Sequence, residues 1–248
     1  MGLASGKAVR WECPMAMEHV PALRVEVLGP LRLVVDGAAV EVRGPKRRAL
    51  LAMLALAEGR TVPVGHLLDT LWPAEIPESG RQALHTQVSR LRAHLGSAAA
   101  RLHARHDGYR LELGDDELDL ARARALLAAA RRGSGVDGVV PLREAHALWR
   151  GPVLADLTDV EPIAAAVEGC ARLHREVTDA LVAAAVDAGE ADGVVGLAAE
   201  SLAADPLREP AVLLLMRALA AGGRAPEALR TGRYFRRRLA EETGLDPS

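Results

Sequence analysis

ESGRQALHTQVSRLRAHLG, Glu78 to Gly96, has the periodicity of a single helix. Ser79 is a fair N-cap residue and Gly96 a natural stop. At about 100° per residue, Leu84, Val88, Leu91 and Leu95 fall on one narrow line, the expected buried face. The opposite face carries Gln82, Thr86, Ser89 and Arg90, flanked by His85 and Arg92, with no acid among them. An ordinary solvated face mixes Glu with Lys and Arg. A helix lying in a DNA major groove requires donors for base edges, cations for phosphates and little negative charge. A surface helix short of acids by chance has the same pattern, so the rest of the chain must decide.

The chain has 248 residues, half of them apolar but only 2% aromatic, so its core is built from Leu, Val and Ala and favours helices. The two cysteines, Cys13 and Cys170, have no metal or redox spacing, which points to a reduced, cytoplasmic protein. No apolar run is long enough to span a bilayer, and the N-terminus lacks a signal-peptide pattern. The net charge of −2 hides an asymmetry. From Arg43 to Arg110 there are 11 Lys and Arg against 5 Asp and Glu, plus five His; from Asp115 to Ser248 there are 16 against 22. The first segment suits a polyanion and the second does not.

Residues 1–21 show no periodicity and read as a disordered N-terminal extension. From Leu23 to Val42 the period is two, broken by Gly29-Pro30 and Asp36-Gly37, which predicts a small antiparallel sheet. Pro45 opens a helix that Gly59 ends. Lys46, Arg47 and Arg48 stand at its positive end, where solvation or a nearby phosphate would be needed to tolerate them. Pro63 leads a short helix, VGHLLDTLW, closed by Pro73. After the Glu78–Gly96 helix, RLHARHDGYRLEL predicts a hairpin turning at Asp107-Gly108. Sheet, helix, helix, helix, hairpin is the order of a winged helix-turn-helix.

Leu23 to Leu113 resembles the OmpR-type winged helix, through its leading sheet, TLW before the turn, VSRLR in the third helix and GYR in the hairpin. The resemblance implies that His85, Thr86 and Arg90 approach bases. It also implies that Gln82, Gln87, Ser89 and Arg92 sit on phosphates, that the Trp72 indole meets the DNA backbone and that Arg105 reaches the minor groove. Lys46, Arg47, Arg48, Arg81 and His103 are further backbone candidates. No receiver domain precedes the sheet, unlike in response regulators.

From Asp115 the pattern is helical to the end. Gly189 and Gly223 lie 34 residues apart, each before a helix, which suggests tetratricopeptide-like stacking. ALWRGP, DPLREPAV and RRRLAEETGLDP resemble the bacterial transcriptional activator domain. The expected fold is multidomain α+β: an extension at 1–21, a winged helix-turn-helix over 22–114 and an all-α tetratricopeptide-like domain over 115–248. The two halves together resemble the Streptomyces antibiotic regulatory protein family. That implies an activator of secondary-metabolite genes that binds tandem direct repeats on double-stranded promoter DNA as a head-to-tail dimer and recruits RNA polymerase holoenzyme. The winged helix is expected to bind DNA without the helical half. In the family the activator domain usually runs past GLDP into a last helix, and larger members carry an ATPase; with only Lys7 and Lys46, no Walker lysine is available.

No hydrolase, zincin or phosphate-loop motif is present, so an enzyme, a cofactor and a membrane partner are not expected. His94, His103 and His106 span a helix end and a wing without a nearby Cys, a poor metal set. His174 reads as solvated, and Arg236 to Arg238 as a solvated last turn. The alternative function is a helical-repeat interaction scaffold whose basic domain does not read sequence.

Overall fold

The computed structural model describes residues 22–133, 135–157 and 161–247, so the extension at 1–21 lies outside the described residues. Strands β1 (Leu23–Glu26), β2 (Arg32–Val35) and β3 (Ala38–Val40) form an antiparallel meander. Leu23 faces Val35 and Val25 faces Leu33, which places four buried side chains on the inner face. Asp36 and Gly37 both have positive φ, the conformation of a two-residue hairpin turn.

Three helices follow: α1 (Pro45–Leu56), α2 (Val64–Leu71) and α3 (Gly80–Leu95). In α3 the line Leu84, Val88, Leu91, Leu95 is buried as its period requires. Ser79 holds the N-cap position but makes no side-chain capping bond. A missing cap costs about 1 kcal/mol, whereas each buried Leu or Val contributes ~1.5–3 kcal/mol, so tertiary burial and not capping holds α3.

The second sheet departs from the expected hairpin in two ways. It has three strands, ordered β4 (Val62–Pro63), β6 (Gly108–Leu111), β5 (Leu102–Ala104). Two residues containing a proline carry no alternation, so β4 has no signature of its own. The turn is also displaced: Arg105 N–H donates to Gly108 O, leaving His106 and Asp107 as the loop. Gly108 is a strand residue, chosen for space. A Cβ there would lie 2.0 Å from the Val62 carbonyl oxygen on β4.

The remainder is helical: α4 (Asp119–Arg132), α5 (Val139–Ala147), α6 (Glu161–Asp187), α7 (Val195–Ala204), α8 (Glu209–Ala221) and α9 (Ala225–Thr243). The 34-residue spacing marks a repeated helix ending. Gly189 and Gly223 both take positive φ, and the following N–H reaches back five residues in each case, Glu190 to Ala185 O and Arg224 to Leu219 O. This is the Schellman closure, which reverses the chain into the next helix.

The change of charge at 114/115 is not a break in the core. Leu118, Leu120, Ala123, Leu154, Leu157, Ile163 and Cys170 belong to the same buried cluster as Val25, Leu50 and Leu91. Asp119, only 6% exposed, sits in that seam. Its two carboxylate oxygens accept from Val27 N–H at 2.8 Å and Leu28 N–H at 2.9 Å. Burial pushes its carboxyl above the ordinary value, while those N–H groups and the Arg150 guanidinium, 3.7 Å away, pull it back. Arg150 N–H also donates to Leu28 O, and Leu154 N–H to Gly29 O, so the 150–154 loop closes over the β1–β2 turn.

His174 is not solvated. Its ring stacks on Trp149 at 4.6 Å and lies 5.2 Å from His146, between α5 and α6. The sequence of one helix does not show the partner helix that packs against it. Burial holds both imidazoles below the ordinary value of 6.5.

Two expectations follow. Asp119→Ala leaves the Val27 and Leu28 N–H groups bare in the core and is expected to cost about 3 kcal/mol in urea unfolding; a loss under about 1 kcal/mol would show that the seam does not depend on it. For the histidines, a folded-state value below the unfolded one means stability is intact above the unfolded value and declines as pH falls beneath it. The melting temperature is therefore expected to drop between about pH 7 and about pH 5, and less so in His174→Phe. Identical profiles for the two proteins would contradict this.

Candidate nucleic-acid interface

The outward face of α3 is as the sequence implied. Arg81, Gln82, His85, Ser89 and Arg90 are exposed, and Thr86 and Gln87 are half-buried at its sides. Thr86 Oγ donates to Gln82 O at 3.0 Å, which leaves its lone pairs and methyl outward. Among the described residues, neither Arg81 nor Arg90 pairs with an acid. Arg90's carbonyl binds His94 Nδ1 at 2.7 Å, and His94 Nε2 lies 3.5 Å from Arg43 N, so His94 serves the local backbone. In the wing, Arg105 is exposed at the hairpin loop. His103 Nε2 meets Glu112 at 2.9 Å, and that bond is the main cause of Glu112's lowered carboxyl value.

Two of the three cations at the start of α1 have partners inside the molecule. Lys46 Nζ lies 4.2 Å from the centroid of the Trp72 ring. This cation–π contact partly desolvates the ammonium, and desolvation lowers its value. The Trp72 backbone N–H closes α2 on Leu68 O at 2.9 Å, so this residue stands where α2 hands over to the α3 approach. Arg48 is ion-paired to Asp156 in the helical half. Arg47 is half-buried. Sequence reasoning could not anticipate these pairings, because Asp156 is 108 residues from Arg48. Arg92, expected on a phosphate, is half-buried and turned inward. Its Nη2 donates to Leu102 O at 2.8 Å, with Nε at 3.3 Å from the same oxygen.

A cavity of about 540 Å³ between α8 and α9 is floored by Val212, Met216 and Phe235, with Arg233 and Arg236 on its lining and no convergent acid–base set. Arg238 at the end of the basic run pairs with Glu242. Cys170 is buried, and desolvation pushes its thiol up to about 11, too high for a nucleophile. Among the described residues no cluster of His, Cys, Asp and Glu has the makings of a metal site, and no helix is long and apolar enough to cross a membrane.

A winged helix-turn-helix joined to stacked helix pairs, with an acid-free third helix outward, defines a class of transcriptional regulator. Two family comparisons agree. Residues 118–248 match the bacterial transcriptional activator domain, and residues 40–111 match the C-terminal domain of transcriptional regulatory proteins. The chain is 39% identical over 240 residues to the regulatory protein AfsR of Streptomyces coelicolor, covering 94% of this chain and 24% of that one. It is 31% identical to the transcriptional regulator RedD of the same organism, covering 93% and 70%. The structure of Mycobacterium tuberculosis EmbR in complex with a low-affinity phosphopeptide superposes with a TM-score of 0.85 at 33% identity, over 92% of this chain and 62% of that one. The chain belongs to the Streptomyces antibiotic regulatory protein family. It spans about a quarter of AfsR and, by sequence, 59% of EmbR.

Arg90 is exposed, unpaired and on the acid-free side of α3. Arg90→Ala is expected to cost about 1–3 kcal/mol on a preferred duplex and to flatten discrimination at one base pair, read by fluorescence anisotropy across single-base variants. Equal losses on preferred and random duplexes would move Arg90 to the phosphate class.

Proposed function

We propose that this protein is a sequence-specific DNA-binding transcriptional activator that occupies tandem direct repeats near promoters and recruits RNA polymerase holoenzyme, with secondary-metabolite genes as targets. The observation that carries the reading is the outward face of α3. It holds amide, hydroxyl, imidazole and guanidinium groups without an acid, the complement that a major-groove helix requires, on the third helix of a winged helix-turn-helix. His85, Thr86 and Arg90 meet base edges. Gln82, Gln87 and Ser89 meet phosphates, with Trp72 and Lys46 beside them and Arg81 and Arg47 at the flank. Arg105 enters the minor groove from the wing, where narrow A·T-rich segments attract arginine.

The net-negative helical half adds little affinity for a polyanion, so its role is contact with protein. Direct repeats demand a head-to-tail pair, whose fore and aft surfaces differ, unlike a two-fold dimer. Polymerase then meets a free surface at one end of the pair.

The shared core bears on how this is tested. A fragment ending near Gly114 would expose the seam that Leu118, Asp119 and Leu120 fill, so the full chain is the proper reagent. On duplexes carrying two half-sites, the full chain is expected to bind direct repeats cooperatively and to raise transcription from such a promoter with purified polymerase. Preference for inverted repeats would overturn the head-to-tail arrangement. Binding without any increase in transcription would overturn recruitment.

A further inference from the structure

Arg92 stands on the last turn of α3, two residues past Arg90. Its fork closes on one oxygen, the Leu102 carbonyl, through Nη2 at 2.8 Å and Nε at 3.3 Å. Leu102 opens β5, and β5 is the edge strand of the wing sheet. The register explains why that oxygen needs a donor. Arg105 bonds Gly108 across the ladder and Glu112 N–H bonds Arg101 O. In an antiparallel pair, hydrogen-bonded and non-bonded positions alternate, so Leu102, opposite Leu111, turns its carbonyl away from β6 toward the open edge. No further strand covers that edge in this sheet. A guanidinium that turned out to a phosphate would leave the carbonyl bare.

We propose that Arg92 is a positioning residue that fixes the wing against the recognition helix, and not a phosphate ligand; this rests on the DNA-binding reading above. The wing root is held again one residue earlier. Arg101 donates to both oxygens of Glu117, at 2.7 and 2.5 Å, and the Glu117 carbonyl accepts from Val25 N–H in β1. β5 is thereby tied on one side to α3 and on the other to the segment leading into α4. The distance between Arg90 in one groove and Arg105 in the next depends on the first tie. Arg92 acts on DNA through Arg105.

The test compares full-length variants on a duplex selected from a random-sequence pool. In Arg92→Gln the amide nitrogen occupies roughly the place of Nε, within reach of Leu102 O, but carries no charge. A positioning role predicts that this variant keeps the wild-type dependence of affinity on salt and loses less than about threefold in affinity, where tenfold corresponds to ~1.4 kcal/mol. A phosphate role predicts a slope shallower by about one unit. A positioning role also predicts coupling: Arg105→Ala costs at least about fivefold less in an Arg92→Ala background than in the wild type. A residue that merely stabilised the fold would not couple selectively to Arg105. If Arg92→Ala fails to fold, the Arg92→Gln slope decides alone. A shallower slope in Arg92→Gln, or losses at Arg92 and Arg105 that simply multiply, overturns this inference while leaving DNA binding intact. Absence of any duplex binding by the wild type overturns both.

Discussion

The structure depends on a single carboxylate. Asp119, at the first turn of α4, accepts the Val27 and Leu28 N–H groups just after β1. A buried charge is costly by itself, and it is tolerated where several hydrogen bonds and a cation converge on it. Here three backbone N–H groups and Arg150 converge. That demand constrains geometry, because the start of α4 must lie where Asp119 reaches both the Val27 and Leu28 N–H groups. The wing, α3, the start of α4 and the start of α6 consequently share one continuous core, while α5 and α7 to α9 pack around smaller clusters of their own.

The chain also sorts its cations. Arg48 is spent on Asp156 and Arg92 on the Leu102 carbonyl. Arg124 reaches across the seam to Glu58. Arg81, Arg90 and Arg105 are left exposed on α3 and the wing. The positive charge of the first half is thus divided between holding the architecture and facing outward, and the outward share is aligned with the acid-free helix face. Exposed pairs contribute little to stability, about 0–1 kcal/mol each, so the seam pairs act more on orientation than on folding free energy.

Periodic features were legible in the sequence. The meander, α1 to α3 and the buried line of α3 follow from periodicity together with the Gly and Pro residues that punctuate it. The 34-residue glycine spacing reported a repeated helix closure. What escaped reading was tertiary. β4 is too short to have a period, and Gly108 was taken for a turn residue because the strand that crowds it was invisible. Asp115, Asp116, Glu117 and Asp119 form one acidic run, and nothing in their spacing tells that Glu117 clamps Arg101 while Asp119 turns into the core. Trp149, inside the quoted ALWRGP motif, is a stacking partner for His174 on another helix. The exposed face of α3 was readable for a physical reason: helix periodicity is a local property, whereas partners inside the molecule are chosen across tens of residues.

The central claim is that the α3 face and wing bind DNA with sequence preference. A salt titration of full-length protein on a selected duplex and on a random one tests it most directly. The account predicts that log affinity falls linearly with log salt on both, with a slope of several units, and that a gap between the two duplexes persists as salt rises. Affinity that ignores salt, or two lines that coincide throughout, would contradict it.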